Sequence, residues 1–366
     1  MIGGRDALSW ISQGMSFAES GGAGAVWSEV DWLKTVELAN AHFLAATLYL
    51  RLCESGRDGA LPGEARSYLA LLLERNAERN AALREQAREI LGAFEAAGIP
   101  PLLLKGAITL FDRGDPLRHS RMMRDLDILV PRRSERAAAA ILRDLGYRVG
   151  TRYPPGHHAY GEFQRDGAQG AVDLHTELVD PAYILPASEV WRGSRPLSGE
   201  TSPAWAPAPS ERMLHHLLHA QIHHRGQYYR GELRLDQLFD CAAIARRFAG
   251  EIDWEYIEAR LRAHRLGTPL QSYLLAAERI FGLAWPLAEA PGSAARLHVN
   301  RCILQLRHPA FGRPLKPLAN LRGALAWHRM RALYGEDAAT AGGPLRHLYA
   351  YLRKTSLREA LERVLR

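Results

Sequence analysis

The chain has 366 residues, 47% of them hydrophobic and 24% charged, an ordinary globular mixture with enough length to bury a large core, which excludes a disordered or fibrous chain. The formal charge of +7 is unevenly spread: from Arg301 onward 13 Lys or Arg stand against 4 Asp or Glu, a net of +9, so the first 300 residues carry −2 and the basic character belongs to the C-terminal end. Apolar runs such as Ile99 to Leu104 fall short of the roughly 20 residues a spanning helix needs, and no signal peptide is read at the start. Three scattered cysteines (Cys53, Cys241, Cys302) form neither a disulfide framework nor a zinc motif, and a reducing cytoplasm is the expected compartment.

Residues 1–98 read as a helical region rich in Ala, Leu, Glu and Arg. Leu69, Leu72 and Leu73, then Leu83, Ala87, Ile90, Leu91 and Phe94 recur at helical spacing. GRDGALPGE at 56–64 is a loop, and Gly98 with Pro100 and Pro101 supplies the stop. Residues 99–200 change texture. IPPLLLK and DLDILVP read as buried strands, SERAAAAILRDLG as a helix capped by Ser134 and ended by Gly146, and YRVGTR, HHAYGEFQ and AVDLHTEL as three further strands. That order predicts a mixed sheet of the α+β class. After the Pro-rich TSPAWAPAPS, residues 201–366 are helical again, with a last group of basic helices beyond the interval Pro309 to Pro317.

The chemistry concentrates in RDLDILV. Asp125 and Asp127 are two apart on a strand and so share a face. Adjacent carboxylates repel each other unless a cation neutralises them, and a hard divalent ion with oxygen ligands suits the pair. Asp173, inside the apolar AVDLHTEL, is the third carboxylate, and an antiparallel neighbouring strand would bring it beside the first two. Three carboxylates would hold one or two Mg²⁺ roughly 3.5–4 Å apart. Upstream, Lys105 and Gly106 follow the apolar Leu102–Leu104 and precede a helical AITLF; a glycine at such a turn lets backbone amides approach a phosphate, and Lys105 adds a compact charge. Only four lysines occur in the chain, which singles out one in an apolar stretch. Arg118, Arg121 and Arg124, immediately before the acidic pair, are candidates for phosphate oxygens.

In this order, Leu104-Lys105-Gly106, Arg121, Asp125 and Asp127, and Asp173-Leu174-His175 resemble the bacterial uncharacterised nucleotidyltransferase branch of the DNA polymerase β-like nucleotidyltransferase superfamily. LLHAQIHH around His219 and ELRLDQLFD, with Arg234 and Asp240, are similar to the helical continuation of that branch. The resemblance implies a polymerase β-like mixed sheet flanked by N- and C-terminal helical regions, with Mg²⁺ and an NTP such as ATP or GTP as co-substrate. In it Asp125, Asp127 and Asp173 hold metal, Asp173 accepts the acceptor's proton, Lys105 and the Gly106 amide steady the triphosphate, and Arg121, His175 and His219 line the nucleotide site; Arg124, where the superfamily usually has a small residue, is a further candidate there. The implied activity is transfer of a nucleotidyl group to a hydroxyl or phosphate of a peptide, sugar or small molecule.

His215, His216, His219, His223 and His224 are expected on one helix, with 215, 219 and 223 on one face; packing against the sheet is favoured over zinc, since no HExxH or cysteine pair accompanies them. The basic aromatic C-terminal helices suggest a second reading, a toxin-like nucleotidyltransferase acting on RNA or protein. A third is a nucleotide-binding scaffold without turnover.

Overall fold

The computed structural model describes residues 6–17, 30–153, 157–197, 204–223 and 227–334. Four helices open the described chain: α1 (Ala7–Met15), α2 (Trp32–Ala41), α3 (Ala45–Glu54) and the long α4 (Gly63–Ala96). The mixed sheet follows, with β1 (Leu102–Leu103), α5 (Lys105–Phe111), β2 (Asp125–Leu129), α6 (Glu135–Asp144), β3 (Arg148–Arg152), β4 (Ala159–Gln164), β5 (Ala171–His175), α7 (Ala187–Gly193), β6 (Arg195–Pro196) and β7 (Trp205–Ala206). Eight helices close it: α8 (Pro209–Gln221), α9 (Gln227–Arg230), α10 (Leu235–Arg247), α11 (Trp254–Ala263), α12 (Gly267–Phe281), α13 (Ser293–Arg307), α14 (Lys316–Ala324) and α15 (Trp327–Tyr334).

The strand order is β3-β4-β5-β2-β1-β7-β6. β2 runs antiparallel to β1 and parallel to β5, in a register that sets Asp127 opposite Asp173 and Leu129 opposite His175. The antiparallel neighbour expected for Asp173 is therefore replaced by a parallel one. The long return through α6, β3 and β4 supplies the crossover that a parallel pair needs. Two further expectations change. Lys105 does not end a strand but begins α5, since β1 is only two residues long, and Ser134 precedes α6 without a side-chain capping bond. The Pro-rich segment also contributes a strand, β7, which pairs with β1.

Both faces of the central strands are covered, which explains their near-continuous apolar runs. Leu103, Leu126, Ile128, Val172 and Leu174 pack on one side with Leu83, Ile90 and Phe94 of α4, Phe111 of α5 and Leu142 of α6. Leu102, Leu104 and Leu129 point the other way, into a core shared by Leu48 and Leu52 of α3, Met213 and Leu217 of α8, Phe239 of α10 and Phe281 of α12. The first and last helical regions thus meet in one core on that face. By the period of two, Asp125, Asp127, Asp173 and His175 face this second side, toward α8.

Helix α4 ends where its apolar stripe ends, at Gly98, whose φ of +68° is the left-handed turn glycine tolerates best. Phe94 on its last turn is fully buried against the sheet. Truncation by Phe94→Ala should lower stability by roughly 3–5 kcal/mol, measured by chemical denaturation; a loss under about 1 kcal/mol would mean α4 is not anchored there.

Candidate active site

Asp127 is 2% exposed in the middle of β2, a position where an unpaired carboxylate would be costly. Its Oδ1 accepts a hydrogen bond from Lys105 Nζ at 2.6 Å and lies 2.9 Å from His175 Nε2. Burial pushes this carboxyl up, but the Lys105 charge and the His175 hydrogen bond outweigh it and hold Asp127 well below the usual carboxylate range. Lys105 gains in return: burial works against its charge, yet Asp127 raises it above the ordinary lysine value. The fully buried His175 is likewise opposed by burial and raised by its contacts with Asp127 and Asp173; Asp173 Oδ2 lies 3.4 Å from its Nε2.

Asp125 opens to solvent at the head of β2. Its carboxyl is pushed up to about 6, first by repulsion from Asp127 and then by desolvation. Asp173 Oδ1 is buried without a hydrogen-bond partner. Ligand atoms of Asp127, Asp173 and His175 all lie within 4.8 Å of one another. An orphaned carboxylate oxygen and a neighbouring carboxyl held up by repulsion are what a hard cation with oxygen ligands would relieve, so the carboxylates of Asp125, Asp127 and Asp173, without His175, fit Mg²⁺.

The Lys-Gly turn has its own geometry. Lys105, at φ +47°, takes the left-handed conformation, not Gly106. A Cβ on Gly106 would stand 2.1 Å from Arg121 Nη1 and 2.9 Å from Met123 Cγ, so the glycine is required by close approach of the loop before β2. Arg121 Nε donates to Asp240 Oδ2 of α10 at 2.9 Å, with Nη2 at 2.8 Å. Arg124 stacks on Phe43, its guanidinium carbon 4.2 Å from the ring centroid, and Arg234 lies over the same ring at 4.9 Å. Arg121 and Arg124, two of the three arginines expected at phosphate, thus have protein partners in this structure.

Residues of α4 that the sequence does not advertise as functional hold the site's backbone. Asn76 Nδ2 donates to the carbonyls of His119 and Arg121, Asn80 Nδ2 to those of Arg118 and Arg121, and Arg79 Nε to that of Met123. One turn and a half further on, Gln86 donates to the Gly170 carbonyl and accepts from the Gln169 and Gly170 amides, which fixes the start of β5. The one sequence signal is a pair of asparagines four apart on the face that also carries Leu83.

Of the histidines, His215, His216 and His219 are on α8; His223 lies just past its end, and His224 is outside the described residues. Rings of His215, His219 and His223 are 6.2 and 5.7 Å apart in succession, and His223 meets His158 edge-on at 4.4 Å. His215 and His219 line a cavity of about 90 Å³ together with Lys105, Arg121 and Asp240.

Residues 28–282 match the family described as "Uncharacterised nucleotidyltransferase". Among solved structures, the chain is similar to one described as "Solution Structure of Antibiotic-Resistance Factor ANT(2'')-Ia Reveals Substrate-Regulated Conformation Dynamics", at 18% identity over 51% of this chain and 92% of that chain, with a TM-score of 0.35. No curated protein matches.

Asp125 keeps a proton in the folded protein at pH values where the unfolded chain has released it. Its contribution therefore makes stability fall as pH rises from the ordinary 3.8 to about 6. Asp125→Asn should flatten that slope in thermal denaturation across this window, and Asp127→Asn should move the Asp125 titration downward by NMR. An unchanged slope in Asp125→Asn would count against the repulsion.

Proposed function

The chain belongs to the uncharacterised nucleotidyltransferase family, an α+β protein with a mixed sheet flanked by helices, and from that premise we propose a Mg²⁺-dependent transfer from an NTP to an acceptor hydroxyl or phosphate. The single observation that carries this reading is the buried Asp127–Lys105–His175 contact with Asp173 directly opposite. Asp125, Asp127 and Asp173 would hold Mg²⁺, which when bound supplies charge neutralisation at the phosphates.

The remaining roles belong to the chain's own groups. Lys105 is a protonated amine at the turn above the carboxylates, placed to exchange Asp127 for a triphosphate oxygen. The Gly106 amide steadies the same triphosphate from the start of α5. His175 orients Asp127 and Asp173 through one nitrogen. Asp173, with its unpartnered Oδ1, accepts the proton of the attacking hydroxyl. Arg121 stays with Asp240 and fixes the turn from behind; Arg124, now over Phe43, and Arg121 are the cationic groups nearest the acidic pair in sequence. His219 borders the nucleotide from α8. Catalysis by such a set is mainly positioning and charge stabilisation.

A modified peptide, a sugar or another small molecule is the proposed acceptor, and ATP or GTP the donor, in the cytoplasm. No helix among the described residues is long and apolar enough to cross a membrane. The basic C-terminal segment behind the RNA- or protein-directed reading lies, from residue 335, outside the described residues.

Incubation with each NTP, Mg²⁺ and candidate acceptors should give an acceptor mass gain of one nucleotidyl group by mass spectrometry. Asp127→Ala and Asp173→Asn should each lower the rate by at least about 100-fold. Omission of divalent cation should abolish it, and full activity in Asp127→Ala would overturn the assignment.

A further inference from the structure

A second group of metal-type ligands lies just beyond the carboxylates. His158 Nδ1 is 2.5 Å and His157 Nε2 3.7 Å from the same oxygen, Asp180 Oδ2. Ligand atoms of the three residues lie within 4.8 Å of one another. His157 and His158 precede β4, and Asp180 follows β5, so the group bridges the connections at one end of two paired strands.

The rings are positioned from outside. Tyr153 stacks on His157 with centroids 4.2 Å apart and planes 12° apart. The His158 carbonyl accepts from the Thr176 and Glu177 amides at 2.8 and 2.9 Å, which ties this residue to the end of β5. His223 supports the His158 ring edge-on. The His158 ring is buried, whereas Asp180 is 38% exposed, which leaves an entry path from solvent.

We propose that His157, His158 and Asp180 bind a borderline transition-metal ion of the Zn²⁺ type, separate from the Mg²⁺ carboxylates. Two imidazoles and one carboxylate suit Zn²⁺ and its neighbours, while Mg²⁺ prefers an all-oxygen shell with retained water. Bonds of roughly 2.0–2.2 Å place tetrahedral donors about 3.3 Å apart, between the 2.5 and 3.7 Å separations found here. Side-chain rotations that bring the three donors, now within 4.8 Å of one another, to that spacing would complete the site, with the ion taking the place of the His158–Asp180 hydrogen bond. Three protein ligands leave a position open toward solvent. The His158 and His175 rings are 5.3 Å apart, so the ion would adjoin the proposed transfer site.

The test is titration of the metal-stripped full chain with ZnCl₂ by calorimetry, with bound metal counted after dialysis. The expected result is one equivalent retained in Asp127→Asn/Asp173→Asn, and affinity weakened at least about 10-fold in His157→Ala and in Asp180→Ala, with unchanged circular dichroism. His157 and Asp180 are both partly exposed, so neither variant depends on repacking the core; Asp180→Asn is the isosteric check should Asp180→Ala misfold. Co²⁺ should give a tetrahedral absorption band lost in the same variants. Zn²⁺ binding unaffected by His157→Ala and Asp180→Ala, or abolished by Asp127→Asn/Asp173→Asn, overturns the proposal. So does the absence of binding in the parent chain. MgCl₂ should not compete at matched concentration; equal competition also overturns it.

Discussion

The buried Asp127 carboxylate governs the rest of the site. A strand interior gives such a charge no solvation, so the fold must bring compensation to it, and it does so with Lys105 and His175. Each partner comes from a different element: Lys105 from the start of α5, His175 from the end of β5. The parallel register of β2 and β5 is what places His175 and Asp173 on the same side as Asp127. Without that register Asp127 would keep Lys105 but lose His175, and Asp173 would not stand opposite it.

The cluster remains only partly neutralised. Lys105 and His175 serve Asp127, leaving Asp125 under repulsion and Asp173 with an unpartnered oxygen. The uneven placement of Lys105 and His175 explains why neighbouring carboxyls diverge: Asp127 is held ionised and Asp125 is pushed up. The histidine chain from α8 to His158 continues from the same face but offers nitrogen donors instead of oxygen, a different ligand chemistry a short distance away.

The supporting frame is largely polar side chains bonded to backbone. Asn76, Arg79, Asn80 and Gln86 of α4 take up carbonyls and amides of the segments that lead into β2 and β5. From the opposite side, the Arg121–Asp240 pair ties the loop before β2 to α10, while Gly106 admits the Arg121 guanidinium against the turn. The helical regions at both ends of the chain therefore act on the same few residues. Buried backbone groups in an irregular loop need such partners, since no ladder supplies them.

Local pattern was sufficient for much of this. Period-two alternation in DLDILV puts Asp125 and Asp127 on one face, the apolar stripe ending at Gly98 terminates α4, and Leu102–Leu104 followed by Lys-Gly marks a strand-to-helix turn. These depend on residues near one another in the chain, where spacing alone dictates which side chains share a surface. Tertiary structure decided the parallel pairing of β2 with β5, the capture of Arg121 by Asp240 across 119 positions, the seat of Arg124 on Phe43, and the approach of Asp180 to His157 and His158. Each joins residues distant in sequence, and local spacing does not say which strand lies beside which or which buried charge finds which partner; that is settled by how helices and sheet pack to bury apolar surface and pair enclosed polar groups.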